Sequence, residues 1–257
     1  MWDEPAVPGT QSIARAVRIL KLLAQCAPRG LRLVDLAEEL QLERPTAHRL
    51  LKVLISEGLL VRDTRSRLYT LGPLVFELGL ASTHQFNLRA ICAPVLERLA
   101  AETGDTSFLF VRSGSDAVCL SRVQGAYPIQ TPVVPIGSRQ PLGVSAGGLA
   151  LLSCLPEDDK TRVLKEIGAQ LHNYGSLDVQ ELRRLCAEAR SVGYAHIAGR
   201  AVPGVSALGL PIRNPRGNAV AAITVATTQA RMTDKRVADL LPMLRRASEQ
   251  IAQLIGV

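Results

Sequence analysis

An α+β protein in two parts is what this sequence predicts: a small helical module closed by a basic hairpin, then a larger domain of intermingled strands and helices. Three observations carry the expectation. Three amphipathic helical segments fall within the first sixty residues, an alternating basic segment follows them, and beyond residue 104 strand-like and helical runs come in mixed order. The length of 257 residues is comfortable for two domains, and 47% apolar residues are enough to build cores. With only 4% aromatic residues, those cores must be filled mainly by Leu, Val, Ile and Ala.

The start, MWDEPAVPGTQ, is short, acidic and rich in Pro and Gly, and residues 1–10 read as a disordered start. It lacks the basic opening and apolar centre of a signal peptide. The first helix is SIARAVRILKLLAQCA, with Ile13, Val17, Leu20 and Ala24 at helical spacing, Ser12 as N-cap and Pro28 to Gly30 as the stop. In LRLVDLAEELQL, Leu33, Leu36, Ala37 and Leu40 share one face, and Asp35, Glu38 and Glu39 the other. The third, ERPTAHRLLKVLISEG, has Pro45 in its first turn and Gly58 as its C-terminal stop. Its stripe of Ala47, Leu50, Leu51 and Leu54 leaves Arg49 and Lys52 facing away, with Arg44, Thr46 and His48 near its start. LLVRDTRSRLYTLG then alternates as two short strands around a turn at Asp63 to Ser66, with Arg62, Arg65 and Arg67 at or near the tip.

Between residues 44 and 67 six Lys and Arg face two carboxylates, Glu57 and Asp63. Helix, short helix, turn, helix and basic hairpin is the layout of a winged helix-turn-helix, spanning residues 11–72, whose second motif helix enters the DNA major groove. The candidate DNA contacts are Arg44, Thr46, His48, Arg49 and Lys52 on the helix and Arg65 and Arg67 at the hairpin tip. The tip residues are assigned to phosphates, because tips position more often than they specify. The competing reading is structural: helical hairpins with solvated charges are common, Thr46 suits a first helical turn, and His48 sits where packing is as good an explanation as DNA.

Residues 73–86, within GPLVFELGLASTH, read as a linker helix, and 87–257 as the second domain, opening with the helix NLRAICAPVLERLAAETG. TSFLFV, AVCLSRV and YPIQTPVV look like strands, whereas EDDKTRVLKEIG and DVQELRRLCAEARSVG look helical. SALGLPI and NAVAAITVATT bracket RNPRG as a hairpin, and a closing helix runs from about Thr233 to Ile255.

The net charge of +7 favours polyanionic partners. Cys26, Cys92, Cys119, Cys154 and Cys186 stand singly, without C-x-x-C or zinc spacing, as thiols in a reducing cytosol would. No apolar run is long enough for a membrane span, so a soluble cytoplasmic protein is expected. There is no P-loop or dinucleotide fingerprint and no cofactor is expected. One motif needs weighing: Gly143-Val144-Ser145-Ala146-Gly147 satisfies G-x-S-x-G. A serine hydrolase would need Asp158 or Asp178 and then His172 or His196 as partners, and a buried strand before Ser145. Pro135, Gly137 and Pro141 argue against that strand. The alternative is a small-residue turn into the helix GLALLSCL, whose free amides can receive an anionic group; packing alone would also explain Gly147 and Gly148.

The N-terminal run, through RAVRIL, TAHRLL and YTLG, resembles the IclR family of bacterial transcriptional regulators. IGSRQPLGVSAGGLALL and GYAHIAGRAVPGVSALGLPIRNPRGNAVAAITV extend the resemblance over nearly the whole chain. It implies a GAF-like α+β sensor domain with a central antiparallel sheet and a small-molecule pocket. The turn Ser145, Ala146, Gly147 and Gly148 matches the family's effector segment, and ungapped matching puts further pocket positions on Ile197, Val205, Ala207, Thr224 and Ala226, to which Gln140 and Ile129 are added. Gly143 stands where the family usually has His, and Leu149 where it usually has Lys. So apolar a set favours a larger or aromatic organic acid, its carboxylate on the Ser145 to Gly148 amides and its body against Ile197, Val205 and Ala207. The implied partners are double-stranded DNA with a pseudopalindromic operator, a small organic acid, and a second copy in a homodimer, with a dimer of dimers suggested. A constitutive DNA-binding protein whose second domain only assembles oligomers is the alternative, and a hydrolase with a DNA-binding appendage a further one.

Overall fold

The computed structural model describes residues 10–27, 29–82 and 88–255. Most of the expected disordered start, Pro28 of the expected helix stop and residues 83–86 of the expected linker lie outside the described residues. The chain divides into two compact units, Met1–Asn87 and Leu88–Val257.

In the first unit, α1 (Gln11–Gln25), α2 (Leu33–Glu39) and α3 (Arg44–Ser56) precede the strands β1 (Leu60–Arg62) and β2 (Tyr69–Leu71) and the helix α4 (Pro73–Ser82). Ile19, Leu23, Leu36, Leu40, Leu51, Leu54, Leu60 and Tyr69 form its core. Pro45 sits in the first turn of α3, where a missing N–H costs nothing, and Gly58 follows the helix at φ +72°, a left-handed stop. α1 departs from expectation. Its helix begins at Gln11 after Thr10, and the buried residues are Ile19 and Leu23, while Ile13 and Val17 are 67% and 42% exposed. The helix carries two overlapping apolar stripes, and packing against α3 and β2 selects the one that periodicity alone does not distinguish. β2 is held on both sides: it pairs antiparallel with β1 through Leu60↔Leu71 and Arg62↔Tyr69, and Leu31 and Tyr69 exchange backbone hydrogen bonds at 3.1 and 2.8 Å.

The second unit runs α5 (Leu88–Thr103), β3 (Thr106–Ser113), β4 (Asp116–Val123), β5 (Arg139–Pro141), α6 (Ala146–Ser153), α7 (Glu157–Ile167), a 3-10 turn (Gly168–Asn173), α8 (Val179–Val192), β6 (Ala195–Ala198), β7 (Val205–Arg213), β8 (Ala219–Thr228) and α9 (Asp234–Ile255). Its sheet is antiparallel with the order β5-β4-β3-β8-β7-β6. Strand alternation splits the core into two layers. Leu109, Leu208, Leu210, Ile223 and Val225 pack with α5 and α9, and Phe108, Phe110, Ile197, Ala222 and Ala226 pack with α6 and α8. Sequence and structure thus agree on the α+β class and on the central antiparallel sheet.

YPIQTPVV is not a strand. Pro128 and Pro132 cannot donate to a ladder, and the segment is tied down by side chains instead. Gln130 donates to the carbonyls of Gly104 (2.9 Å) and Tyr127 (2.6 Å) and accepts from Thr106 Oγ1 (2.8 Å). The Arg231 guanidinium lies 3.8 Å over the Tyr127 ring and pairs with the buried Asp105, as does Arg236. Two short strands were not anticipated, β5 and β6. All five cysteines are free, and burial pushes the thiols of Cys92, Cys119 and Cys186 up to about 11. Among the described residues no helix is long and apolar enough to cross a membrane.

Candidate functional site

The buried stripe of α3, Ala47, Leu51 and Leu54, fixes which way the rest of the helix points. Arg44, His48, Arg49 and Lys52 are exposed, and Thr46 is half-buried in the first turn. A groove runs between the start of α2, the middle of α3 and the β1–β2 hairpin, and Arg32, His48, Arg62, Arg65 and Arg67 stand around it. It brings together three of the residues expected from sequence, His48, Arg65 and Arg67. Arg44, Thr46, Arg49 and Lys52 lie outside the groove on the same helix. Arg32 and Arg62 were not among the candidates. Arg62 was visible in the charge count, but Arg32 reaches the groove only because neighbouring Leu31 pairs with β2, which the sequence does not reveal.

The hairpin tip has a defined shape. Asp63 Oδ1 accepts from the amides of Arg65 (3.1 Å) and Ser66 (2.6 Å) and from the Ser66 hydroxyl (2.8 Å), an Asx turn that leaves Arg67 in the left-handed region at φ +60°. The Ser66 amide and hydroxyl hold the Asp63 carboxyl below its ordinary value. Arg62 lies over the Tyr69 ring at 5.5 Å. With its one carboxylate occupied in the turn, the tip presents its arginines to solvent.

In the second unit a small pocket of about 50 Å³, partly open to solvent, lies between the sheet and the N-terminus of α6. Its floor is built by register. β3 pairs Phe108 with Thr224 and Thr106 with Ala226, and β7 continues that second row with Ala207, opposite Ile197 of β6. Of the residues that the resemblance implies, Gln140, Ser145, Ala146, Ile197, Val205, Ala207, Thr224 and Ala226 line it. Phe108, Phe110, Val133, Val134, Val144, Ala201 and Val202 line it too and were not anticipated. The alternation in TSFLFV was the available signal for the two phenylalanines. Their rings stack with centroids 5.9 Å apart.

Three expected residues fall outside the lining. Ile129 is 59% exposed, because the segment that carries it is a tied loop rather than a strand. Gly147 and Gly148 lie beneath the pocket, where they let α6 settle onto the sheet. A Cβ on Gly147 would stand 2.4 Å from the Phe110 ring, and one on Gly209 of β7 2.5 Å from the Ala146 carbonyl. Ser145 is the N-cap of α6, and its Oγ accepts from the Gly148 amide at 3.1 Å. The expected four-residue amide cradle is therefore smaller: the Gly148 amide is occupied and Gly147 lies outside the lining, which leaves Ser145 and Ala146 at the helix start.

Gly143, at the position where the resembling family has His, has φ +97° and lies against Leu182, which a Cβ would meet at 2.8 Å. Leu149, standing for the family's Lys, is fully buried in the core. Both departures remove polarity from this corner. Among the described residues no Lys, Arg, His, Asp or Glu lines the pocket.

The histidines weighed as hydrolase partners are engaged elsewhere. His196 Nε2 is 2.9 Å from Ser206 Oγ, and His172 Nδ1 is 2.7 Å from the Ala169 carbonyl. Burial lowers the pKa of His196. Asp178 caps α8 by accepting from the Glu181 amide at 2.7 Å. A strand does precede Ser145, contrary to expectation, but β5 is three residues long and lies at the sheet edge. Among the described residues no cluster of three His, Cys, Asp or Glu is placed to hold a metal.

Residues 12–64 match the IclR helix-turn-helix domain, and residues 80–253 match the C-terminal domain of the bacterial transcriptional regulator IclR. The HTH-type transcriptional repressor AllR of Escherichia coli K12 is 27% identical over 98% of this chain and 93% of its own length. The crystal structure of an IclR transcriptional regulator from Alicyclobacillus acidocaldarius superposes with a TM-score of 0.78 at 28% identity, covering 95% of this chain and 98% of the other. An IclR homologue from Microbacterium hydrocarbonoxydans, solved in complex with 4-hydroxybenzoate, shares the fold with a TM-score of 0.72 at 24% identity, over 95% and 98% of the two chains.

Proposed function

The chain belongs to the IclR family of bacterial transcriptional regulators, and from that premise we propose that an apolar, preferably aromatic, organic acid bound under α6 sets its affinity for an operator. The observation that carries this reading is the pocket lining. Two phenylalanines and a ring of aliphatic residues favour burial of apolar ligand surface, at roughly 25 cal/mol per Å². The carboxylate would meet the Ala146 amide and the Ser145 hydroxyl proton at the positive end of α6. The 4-hydroxybenzoate complex of the Microbacterium hydrocarbonoxydans homologue supports the same ligand class.

On the DNA side, α3 would lie in the major groove with Arg44, Thr46, His48, Arg49 and Lys52 facing it, while Arg65 and Arg67, joined by Arg32 and Arg62, meet phosphates. One such helix reads only a few base pairs. A homodimer on a pseudopalindrome is therefore part of the proposal, and exposed apolar side chains on α4, Phe76 and Leu78, are suited to meeting a second copy. Residues 73–86 would couple the two units, because a ligand alters DNA binding only if it binds two arrangements unequally. We infer no catalytic role for Ser145, and a cytoplasmic site of action on DNA.

The test is fluorescence anisotropy of the full chain on its own upstream intergenic DNA at fixed salt, with and without a panel of aliphatic and aromatic acids. Specific binding shifted by an aromatic acid is the expected outcome. Specific binding indifferent to every acid would leave the second unit as an oligomerisation domain; a shift by glyoxylate or pyruvate alone would overturn the aromatic assignment.

A further inference from the structure

Around the groove of the first unit stand Arg32, Arg62, Arg65, Arg67 and His48. An arginine keeps its charge across the whole physiological range, whereas histidine is the side chain that changes charge between pH 5 and 8. His48 is exposed, and one turn to either side of it, on the same face of α3, stand the exposed Arg44 and Lys52. His48 is thus the variable charge at the centre of a fixed cationic surface.

The nearby carboxylates are engaged elsewhere. Asp35, in the first turn of α2, accepts the Arg32 amide at 3.1 Å, and Asp63 accepts from Arg65 and Ser66 inside the hairpin turn. Glu38 and Glu43 border a separate recess with Gln41 and Pro45. Among the described residues no carboxylate lines the groove, and its remaining members, Leu33, Val34, Ser66 and Tyr69, are neutral. A backbone phosphate seated among the arginines would supply the anion that a protonated imidazole lacks there. It would accept a charge-assisted hydrogen bond from the imidazolium, about twice as strong as one from the neutral ring. The bound state then holds more protons than the free one, and by linkage affinity rises as pH falls.

Resting on the reading that α3 and the hairpin bind DNA, we propose that His48 takes up a proton from solvent as the groove receives a DNA phosphate, so that the protein holds its operator more tightly at pH 6 than at pH 8. The arginines give the groove its attraction for phosphate at either pH, and His48 makes part of it conditional on the proton.

The experiment is fluorescence anisotropy of the full chain on its own upstream intergenic DNA at pH 6 and pH 8, each across a salt series. It is repeated on His48→Gln, which cannot be protonated, and on His48→Lys, which stays charged, with thermal unfolding of both checked at both pH values. The wild type should bind about threefold or more tightly at pH 6 for each protomer engaged, and its slope of log K against log salt should steepen by about 1 per protomer, because a further phosphate is neutralised. Both differences should vanish in the variants, with His48→Gln taking the wild-type slope at pH 8 and His48→Lys that at pH 6. Salt-dependent binding that is equal at the two pH values, or a pH effect that survives in His48→Gln, overturns the role of His48 and leaves the DNA reading standing. A pH effect that His48→Gln abolishes but that never alters the salt slope overturns the phosphate contact, since the proton would then be read by a base. Absence of salt-dependent binding at both pH values overturns the DNA reading and this inference with it.

Discussion

In the first unit Arg32, His48, Arg62, Arg65 and Arg67 stand around a groove open to water, whereas in the second the pocket under α6 is lined by no ionisable side chain. The contrast follows from the size of what each must hold. Solvated cations are cheap to keep at a surface, and against a polyanion they act by releasing condensed counterions, a contribution that rises with each phosphate met. An apolar pocket gains instead from removing apolar surface from water, and a charge placed there would need a partner. The two units should therefore differ in their response to salt: DNA binding should weaken steeply with it, and ligand binding should scarcely change.

The largest expected break in the comparison is at the pocket. Gly209→Val drives a side chain into the backbone carbonyl of Ala146, and neither α6 nor β7 can move without disturbing the packing between them. A loss of about 3 kcal/mol from the second unit is expected, read by chemical denaturation, together with loss of acid binding. Non-specific DNA binding should persist, because α3 and the hairpin belong to the other unit.

The next effect sharpens the other side. Replacing Arg65 and Arg67 together by Ala should weaken DNA binding by about tenfold to a hundredfold, nearly equally for specific and unrelated sequences, and reduce the slope of log K against log salt by about 2. Acid binding should be unchanged. A selective loss on the operator alone would mean that these arginines read bases rather than phosphates.

Ser145→Ala is a smaller perturbation with two readouts. Loss of the N-cap bond to Gly148 should cost about 1 kcal/mol of stability in thermal unfolding, and acids should bind several-fold more weakly. If Ser145 were instead a nucleophile, the wild type would hydrolyse simple esters and the variant would not.

These contrasts show why some of the molecule was legible in its sequence. α3 was legible because Ala47, Leu51 and Leu54 recur at helical spacing, between Pro45 and Gly58. The same logic misplaced the buried face of α1, because two apolar stripes overlap there and the choice between them is tertiary. The strand alternation behind Phe108 and Phe110 was on the page, but which face met a pocket was not. Ile129 was misplaced for a further reason: a segment with strand-like composition is held as a loop by Gln130, whose partners Gly104 and Thr106 lie some two dozen residues away. Side-chain bonds over that distance leave no periodic trace. The resemblance located pocket positions that periodicity could not, including Ala207 and Thr224, yet it could not show that the Gly148 amide was already occupied.

The smallest expected effect tests whether the shape of the hairpin tip matters beyond its charge. Asp63→Ala removes a negative charge from the hairpin tip, which alone would tighten DNA binding if the tip meets phosphates as proposed, but it also removes the acceptor that organises Arg65, Ser66 and Arg67. If geometry dominates, binding should weaken a few-fold despite the gain in net positive charge, whereas Asp63→Asn, which keeps an acceptor, should bind at least as well as the wild type. The pH dependence has a definite sign. The native Asp63 carboxyl lies below its ordinary value, so its ordering effect is fully present above the unfolded value of about 3.9 and is lost only as pH falls through the lower, folded one. Its contribution should thus be flat between pH 6 and 8, and a pH dependence of DNA binding in that window would have to arise from another group. Anisotropy titrations of the three proteins at both pH values separate shape from charge: tighter binding by Asp63→Ala would mean that at the tip charge alone decides.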